Sequence, residues 1–440
     1  MLFISSVKKN KKFVVYNLVA YAIIVFNIIS SLYAVRENLS LLHKDLYSVW
    51  VLIFATINIL GIFHFGFNSV AIFKYNEYKK DNNLTTFFSS NFAIAFYQSL
   101  IVCCVVVVLY NFSHVIISDS KYVPVFNNLL LLALPGVIFS AFSSYLEAIL
   151  YYNFKFVFHR NILELLRIGI LNLMFVVGLN CYEDVRILPI IYSIVALISF
   201  SYTLYKYLNQ EKITLKLSKV ESSYVVKNMH DGFSFWILSV SSYVITQTDV
   251  FFISMIKSDI SLVTMYSQSF RLQDIVLKFI KKIAEIKAPK TLSLYNSGNH
   301  SAVVDIYKKL LKINLLLSTI AFLGISFLGK YVLEIWLNKT IIFDQTLIVV
   351  LSLICITGSI HWVLWNFCNL TGLQKKVRNI VVIEILSNLI LSYILLKNFG
   401  LVGLGIASII SNSITIIYIY SLFAKYTRNH LGEPTNMIEN

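Results

Sequence analysis

Residues 8–35 read KKNKKFVVYNLVAYAIIVFNIISSLYAV: Lys8, Lys9, Lys11 and Lys12, then a predominantly apolar run from Phe13 to Val35. As a helix rising about 1.5 Å per residue, such a run crosses the roughly 30 Å hydrocarbon layer of a bilayer. The alternation of a short basic stretch with a long apolar one recurs to the end of the chain. It predicts spans at 13–35, 46–73, 87–110, 124–150, 161–181, 188–208, 229–254, 261–283, 306–329, 344–371, 379–396 and 401–424. The dyad alternation of a β-barrel strand is absent. The expected fold is therefore all-α, a polytopic membrane protein of twelve transmembrane helices.

Composition agrees. Of 440 residues 58% are hydrophobic and 13% charged, against about 25% charged in a soluble domain. Twelve spans leave only short connections, too little for an aqueous domain of about 100 residues. The net charge of +15 does not signal nucleic-acid binding, because the lysines are distributed among short loops between apolar runs. Cys103, Cys104, Cys181, Cys355 and Cys368 are odd in number and lie in or at the ends of spans, giving neither a disulfide framework nor metal-ligand spacing. The first run is too long for a signal-peptide core and is expected to remain as the first helix.

Charge also predicts orientation. Of the 37 Lys and Arg residues, 26 fall in the N-terminus, the loops after every second span and the C-terminus, and 8 fall in the alternate loops. The other three, Arg167, Arg271 and Lys278, lie inside spans. This asymmetry puts both termini in the cytoplasm, a pattern that needs an even number of spans. In this count Lys281 belongs to the cytoplasmic basic segment 281–312.

The second half echoes the first. Tyr47-Ser48 recurs as Tyr266-Ser267, Tyr78 as Tyr295, Val125-Phe126 as Ile342-Phe343, and Arg160-Asn161-Ile162 as Arg378-Asn379-Ile380. The offset of 217–219 residues covers six spans, so the halves share one orientation and predict two six-helix lobes related by an axis along the membrane normal. The expected division is 1–208 for the N-lobe, 209–228 for a cytoplasmic linker and 229–440 for the C-lobe.

Several segments carry a resemblance. Tyr47-Ser48-Val49-Trp50 followed by Phe65-Gly66-Phe67-Asn68 resembles the YGxW…DFGLG stretch of bacterial polysaccharide flippases. Gln247-Thr248-Asp249 with Val250-Phe251-Phe252-Ile253-Ser254 resembles their seventh helix, and Tyr266 with Arg271-Leu272 their eighth. Pro289, the 295–300 loop and Leu333-Glu334-Ile335-Trp336-Leu337 resemble the region that follows. His64 stands where the pattern commonly has Asp, and Asn338 where it has Gly. In order and spacing the chain resembles the O-antigen and capsule flippase branch of the multidrug/oligosaccharidyl-lipid/polysaccharide (MOP) superfamily. The resemblance implies a V-shaped, MATE-like pair of lobes in the bacterial inner membrane. It also implies a substrate, undecaprenyl-pyrophosphate-linked oligosaccharide, flipped from the cytoplasmic to the outer leaflet. A polysaccharide polymerase and a chain-length regulator are the implied partners.

Charges inside spans are the site candidates, because each costs about 2.5–3.5 kcal/mol at a helix centre and so tends to face a cavity or a partner. Arg271, Asp274 and Lys278 are spaced to share one helical stripe. Arg271 can hold a pyrophosphate through its planar fork, while the bland reading of the three is a packing ion cluster. Arg167 is a further substrate-binding candidate, or merely pairs with Glu164. Asp249 and Glu384 are candidates for ion coupling, Glu384 having no basic neighbour in sequence. His64 and His361 read as hydrogen-bonded core residues. No metal site and no cofactor are expected.

Other motifs are missing. No G-x-x-x-x-G-K-[ST] loop for ATP and no H-E-x-x-H occurs, so an enzyme is not expected, and energy would come from an ion or substrate gradient. The alternatives are a small-molecule or drug exporter of the same superfamily and, from another class, a membrane glycosyltransferase or polymerase. The topology is testable by reporter fusion. A fluorescent protein after residue 431 should glow, and alkaline phosphatase fused after residue 184 should be active; the opposite pattern rejects the orientation.

Overall fold

A computed structural model describes residues 2–147, 157–210 and 215–431. Much of the predicted basic loop 151–160, the middle of the 209–228 linker and residues 432–440 lie outside them. The described residues form helices with no strand, as a chain in hydrocarbon must if its backbone groups are to be satisfied within each segment.

The helices are α1 (Leu2–Leu60), α2 (Phe67–Lys80), α3 (Leu84–Asn111), α4 (Val123–Glu147), α5 (Val157–Glu164, Leu165–Ile170 and Leu171–Tyr182) and α6 (Ile187–Gln210). After these come α7 (Ser222–Ile256), α8 (Ser261–Asn296), α9 (His300–Trp336), α10 (Gln345–Leu370), α11 (Gln374–Phe399) and α12 (Leu401–Leu431). Each predicted span falls largely on helix, residues 148–150 of the fourth lying outside the described ones. Nine stretches among the described residues are long and apolar enough to cross a membrane. One of them, Ala22–His64, contains parts of the first two predicted spans. The helices outside the nine are α2, α7, whose described residues include an apolar stretch at Tyr243–Ile256, and α8, whose length is interrupted by Arg271, Asp274, Lys278 and Lys281.

The first turn between spans is tighter than expected. Instead of a ten-residue loop, α1 runs on through Arg36–Leu42 and departs from helical geometry at His43 (φ 59°, ψ 165°). No Gly or Pro interrupts residues 36–45, so nothing there stops a helix earlier. Tyr122 donates to Asp45 at 2.9 Å and secures the segment beyond the break.

The second span is broken near its other end. After a 3₁₀ turn at Gly61–His64, Phe65 and Gly66 both take positive φ (47° and 76°) before α2 begins. Breaking a helix in a membrane frees carbonyls that need donors, and the donors come from distant helices. Trp236 Nε1 donates to Ile62 O at 2.8 Å and the Tyr145 hydroxyl to His64 O at 3.4 Å. The Gly66 N–H donates to His64 Nδ1 at 2.9 Å.

Two compact units divide the chain, Met1–Ser239 and Val240–Asn440. The division falls inside α7. The lobe and linker boundaries expected from sequence remain a proposal. In the first unit α4 packs against α6, α3 and α1, and α5 against α1. An aromatic cluster of Tyr75, Tyr78, Phe87 and Tyr224 takes in the start of α7. In the second unit α10 packs against α12, α9 and α8, and α11 against α12. Phe367 makes edge contacts there with Tyr307, Phe423 and Tyr426. The α4–α6 and α10–α12 pairs occupy equivalent places in the sequence repeat, and the matched Phe126 and Phe343 are both fully buried. Large side chains that face away from each unit, such as Phe327, Ile335 and Ile417, suit contact with lipid rather than water.

The break after His64 yields a stability prediction. A Cβ on Gly66 would lie 2.0 Å from Gly232 O, and its backbone is left-handed. Gly66→Ala should therefore lower stability by at least about 1–3 kcal/mol. Gly324 in α9 meets nothing within 4 Å, so Gly324→Ala should be neutral or gain about 0.5–1 kcal/mol. Thermal unfolding in detergent compares them; equal melting points refute the close approach.

Candidate functional site

The second unit concentrates buried polar side chains along its helices. On α11, Glu384, Asn388 and Ser392 recur every four residues, which places them on one face, and all three are fully buried. On α12, Ser408, Ser411 and Thr415 form a matching buried series. Ser241 and Asp249 project from α7, and Tyr266 from α8. A polar seam at this density within apolar helices is costly unless its groups satisfy one another or a guest.

The two carboxylates in the seam are held differently. Asp249 accepts a short hydrogen bond from the Tyr266 hydroxyl through Oδ2 and a second from Ser392 at 3.2 Å through Oδ1. One carboxylate thus ties α7 to α8 and α11. Glu384 lies among Ser241, Thr415 and His361, with His361 Nε2 at 3.6 Å from Oε1. Neither Glu384 oxygen has a hydrogen-bond partner among the described residues, and nor do Thr415 Oγ1, Asn388 Oδ1 and His361 Nε2. Polar groups without a well-formed hydrogen bond therefore collect around Glu384, whereas each Asp249 oxygen accepts one. His361 of α10, read from sequence as a core histidine, is the side chain that comes nearest to pairing with Glu384. Among the described residues no three His, Cys, Asp or Glu side chains gather as a metal would require.

The α8 stripe is resolved in part. Asp274 pairs with Lys278 at 2.7 Å one turn on, Lys278 being well exposed. Arg271, half-buried, precedes them by one turn. The same stripe continues to Lys281, which the charge count assigns to the cytoplasmic segment. The structure places its Nζ 5.1 Å above the Trp362 ring of α10. The 271, 274, 278, 281 spacing is helical throughout, so the periodicity that groups the first three residues also reaches the fourth.

Arg167 belongs to the first unit. It lies on a π-helical turn, Leu165–Ile170, inside α5, a distortion often found at functional positions. Tyr192, which shares a 3.2 Å hydrogen bond with Ser140, is its electrostatic neighbour. Gly169 on the same turn lets Phe26 and Asn27 of α1 approach closely. Glu164, expected beside Arg167, pairs with Arg160 at 3.3 Å. No signal in the sequence announces the π turn.

No family model and no curated protein matches the chain in sequence. Solved structures do match it in fold. An inward-facing multidrug-resistance MATE transporter of the MOP superfamily superposes with TM-score 0.74 over 95% of this chain and 99% of its own, at 12% identity. The lipid II flippase MurJ, in an inward closed conformation, gives 0.73 at 17% identity, covering 95% and 91%. A MOP superfamily transporter from Pyrococcus furiosus, described by the reversed polarity of its binding pocket, gives 0.59 at 11% identity over 96% and 95%. The chain has the MATE and MurJ fold. At these identities the likeness establishes architecture and leaves activity to the residues.

The contrast between the carboxylates is testable. Asp249→Ala strands the buried Tyr266 hydroxyl and should cost about 1–3 kcal/mol. Glu384→Gln keeps the shape, removes the ionisable group and should leave the melting temperature unchanged or raised. Equal destabilisation by both substitutions refutes the division into an anchor and an unsatisfied carboxylate.

Proposed function

We propose that this protein is a flippase that carries undecaprenyl-pyrophosphate-linked oligosaccharide, an O-antigen or capsule repeat unit, from the cytoplasmic to the outer leaflet of the bacterial inner membrane. It works as a transporter rather than an enzyme, with both termini in the cytoplasm. The observation that carries the reading is the cationic stripe of α8, in which Arg271, Lys278 and Lys281 stand with Asp274, the next acid, Glu285, being paired with Lys282. A lipid-linked pyrophosphate must bring its anion through the hydrocarbon depth, and a guanidinium offsets that cost with a bidentate, planar contact. The isoprenoid tail remains in lipid throughout. Arg271 is the main substrate contact, with Lys278, Asp274 and Arg167 as further members.

The fold supports this reading because one solved structure of the same architecture is a lipid II flippase. It equally accommodates the multidrug MATE transporter. The Pyrococcus furiosus protein, in which reversed pocket polarity suggests a different function, makes charge rather than architecture the discriminating feature. A positive α8 favours an anionic cargo over the cationic drugs that an acidic pocket would suit. Coupling to an ion would use the buried carboxylates. Glu384, with both oxygens lacking partners among the described residues, is the better placed, and Asp249 is the second. A polysaccharide polymerase and a chain-length regulator complete the proposed setting.

Reconstitution decides the matter. Liposomes carrying undecaprenyl-pyrophosphate-linked oligosaccharide are exposed to an external enzyme that attacks the sugar, and loss of protection is followed over time. Wild type should expose the sugar, and Arg271→Ala at equal incorporation should reduce the rate by roughly tenfold or more, as expected for loss of a charge-assisted bidentate contact. Arg271→Lys should recover part of it. Unchanged flipping by Arg271→Ala counts decisively against the assignment.

A further inference from the structure

Lys281 and Trp362 raise a question that the flippase reading alone leaves unanswered. Lys281 Nζ sits 5.1 Å from the centroid of the Trp362 ring and is half-buried between α8 and α10. The carboxylates nearest along α8 are engaged elsewhere, Asp274 with Lys278 at 2.7 Å and Glu285 with Lys282 at 2.8 Å. Among the described residues no carboxylate lies within ion-pair distance of Lys281. The Trp362 indole N–H is itself buried without an acceptor.

The chemistry of these groups is one-sided. An ammonium offers three donors and no acceptor, and an indole offers one donor and no acceptor. Two donor-only groups side by side, one charged and one buried, lack acceptors rather than donors. A neutral sugar hydroxyl would satisfy the indole but leave the charge uncompensated. An oxyanion satisfies both, and its hydrogen bonds to the ammonium are of the strong, charge-assisted kind.

We propose that Lys281 and Trp362 form an oxyanion-binding subsite between α8 and α10, ten residues along α8 from Arg271. The proposal rests on the flippase reading for the identity of the cargo, and the anion is a phosphate or a carboxylate of that cargo. Two parts of a lipid-linked oligosaccharide carry such a group: the pyrophosphate of the carrier and the carboxyl of an acidic sugar. Lys281 lies toward the end of its span that the charge asymmetry assigns to the cytoplasm. A pyrophosphate at the headgroup level of the cytoplasmic leaflet would meet it first.

Direct binding tests this without reference to transport. Full-length protein in detergent is titrated by calorimetry with inorganic pyrophosphate, with undecaprenyl pyrophosphate lacking sugar and with a uronic-acid disaccharide. Wild type should bind at least one. Lys281→Met, which keeps the aliphatic stem, should weaken that binding by about tenfold or more. Lys281→Arg should retain it, and Trp362→Phe, which keeps an aromatic face and removes the N–H, should weaken it several-fold. Lys281 dependence in the pyrophosphate arms assigns the subsite to the carrier; dependence in the uronate arm alone assigns it to an acidic sugar. Failure of wild type to bind any of the three, or equal affinity in wild type and Lys281→Met, overturns the subsite. If Lys281→Met does not give monodisperse protein, Trp362→Phe against Lys281→Arg makes the same comparison, and equal affinities there overturn it too. Lys281-dependent binding by a protein that fails to flip lipid-linked oligosaccharide sinks the flippase reading and leaves the subsite standing.

Discussion

Every backbone N–H and C=O in the hydrocarbon layer must find its partner within the protein, since neither lipid nor water will supply one there. The described fold follows from that constraint: helices throughout, with each departure from helical geometry repaired. At Gly61–Gly66 the repair comes from Trp236 and Tyr145, which reach the carbonyls of Ile62 and His64. Trp236 belongs to the part of α7 that is compact with the first unit, so the broken helix and the start of α7 are bound by the same hydrogen bond. Gly232, pressed against Gly66, makes the approach sterically possible. A local failure of helix geometry thereby becomes a tertiary contact.

The same constraint governs side chains. Many polar groups in the spans are hydroxyls that bond back to a carbonyl three or four residues earlier, as Thr56, Ser99 and Thr203 do. Asp249 is buried with Tyr266 and Ser392 both donating to it, which offsets part of the cost. Glu384 and Trp362 are among the side chains whose polar atoms are buried without partners among the described residues.

Much of the architecture was legible in the chain because hydropathy over twenty residues is a strong, additive signal. Span positions and the six-span repeat needed no tertiary information, and Phe126 and Phe343 could be matched by offset alone. What escaped depends on one residue or on contacts between distant segments. His43 ends a helix with nothing in its neighbours to mark it. The π turn at Leu165–Ile170 keeps a helical sequence pattern while changing the hydrogen-bond register. His361 meets Glu384 only because α10 and α11 lie in one unit, and no spacing along the chain connects residues 23 apart on different helices.

Lys281 is the instructive case, because two readings of the sequence compete for it. Counted by charge it belongs with the lysines of 281–312 and speaks only of orientation. Counted by period it continues Arg271, Asp274 and Lys278 along α8. A span boundary drawn by hydropathy cannot separate these, since a lysine near the end of a span satisfies both descriptions, and its long stem reaches toward water or inward at similar cost. The facing helix decides between them. Trp362 presents a ring to the ammonium, and the two neighbouring carboxylates are already paired, so the ammonium meets an aromatic face rather than an ion-pair partner. A basic residue near the membrane face is thus a topological signal when its head lies in water and a candidate binding group when an aromatic helix covers it.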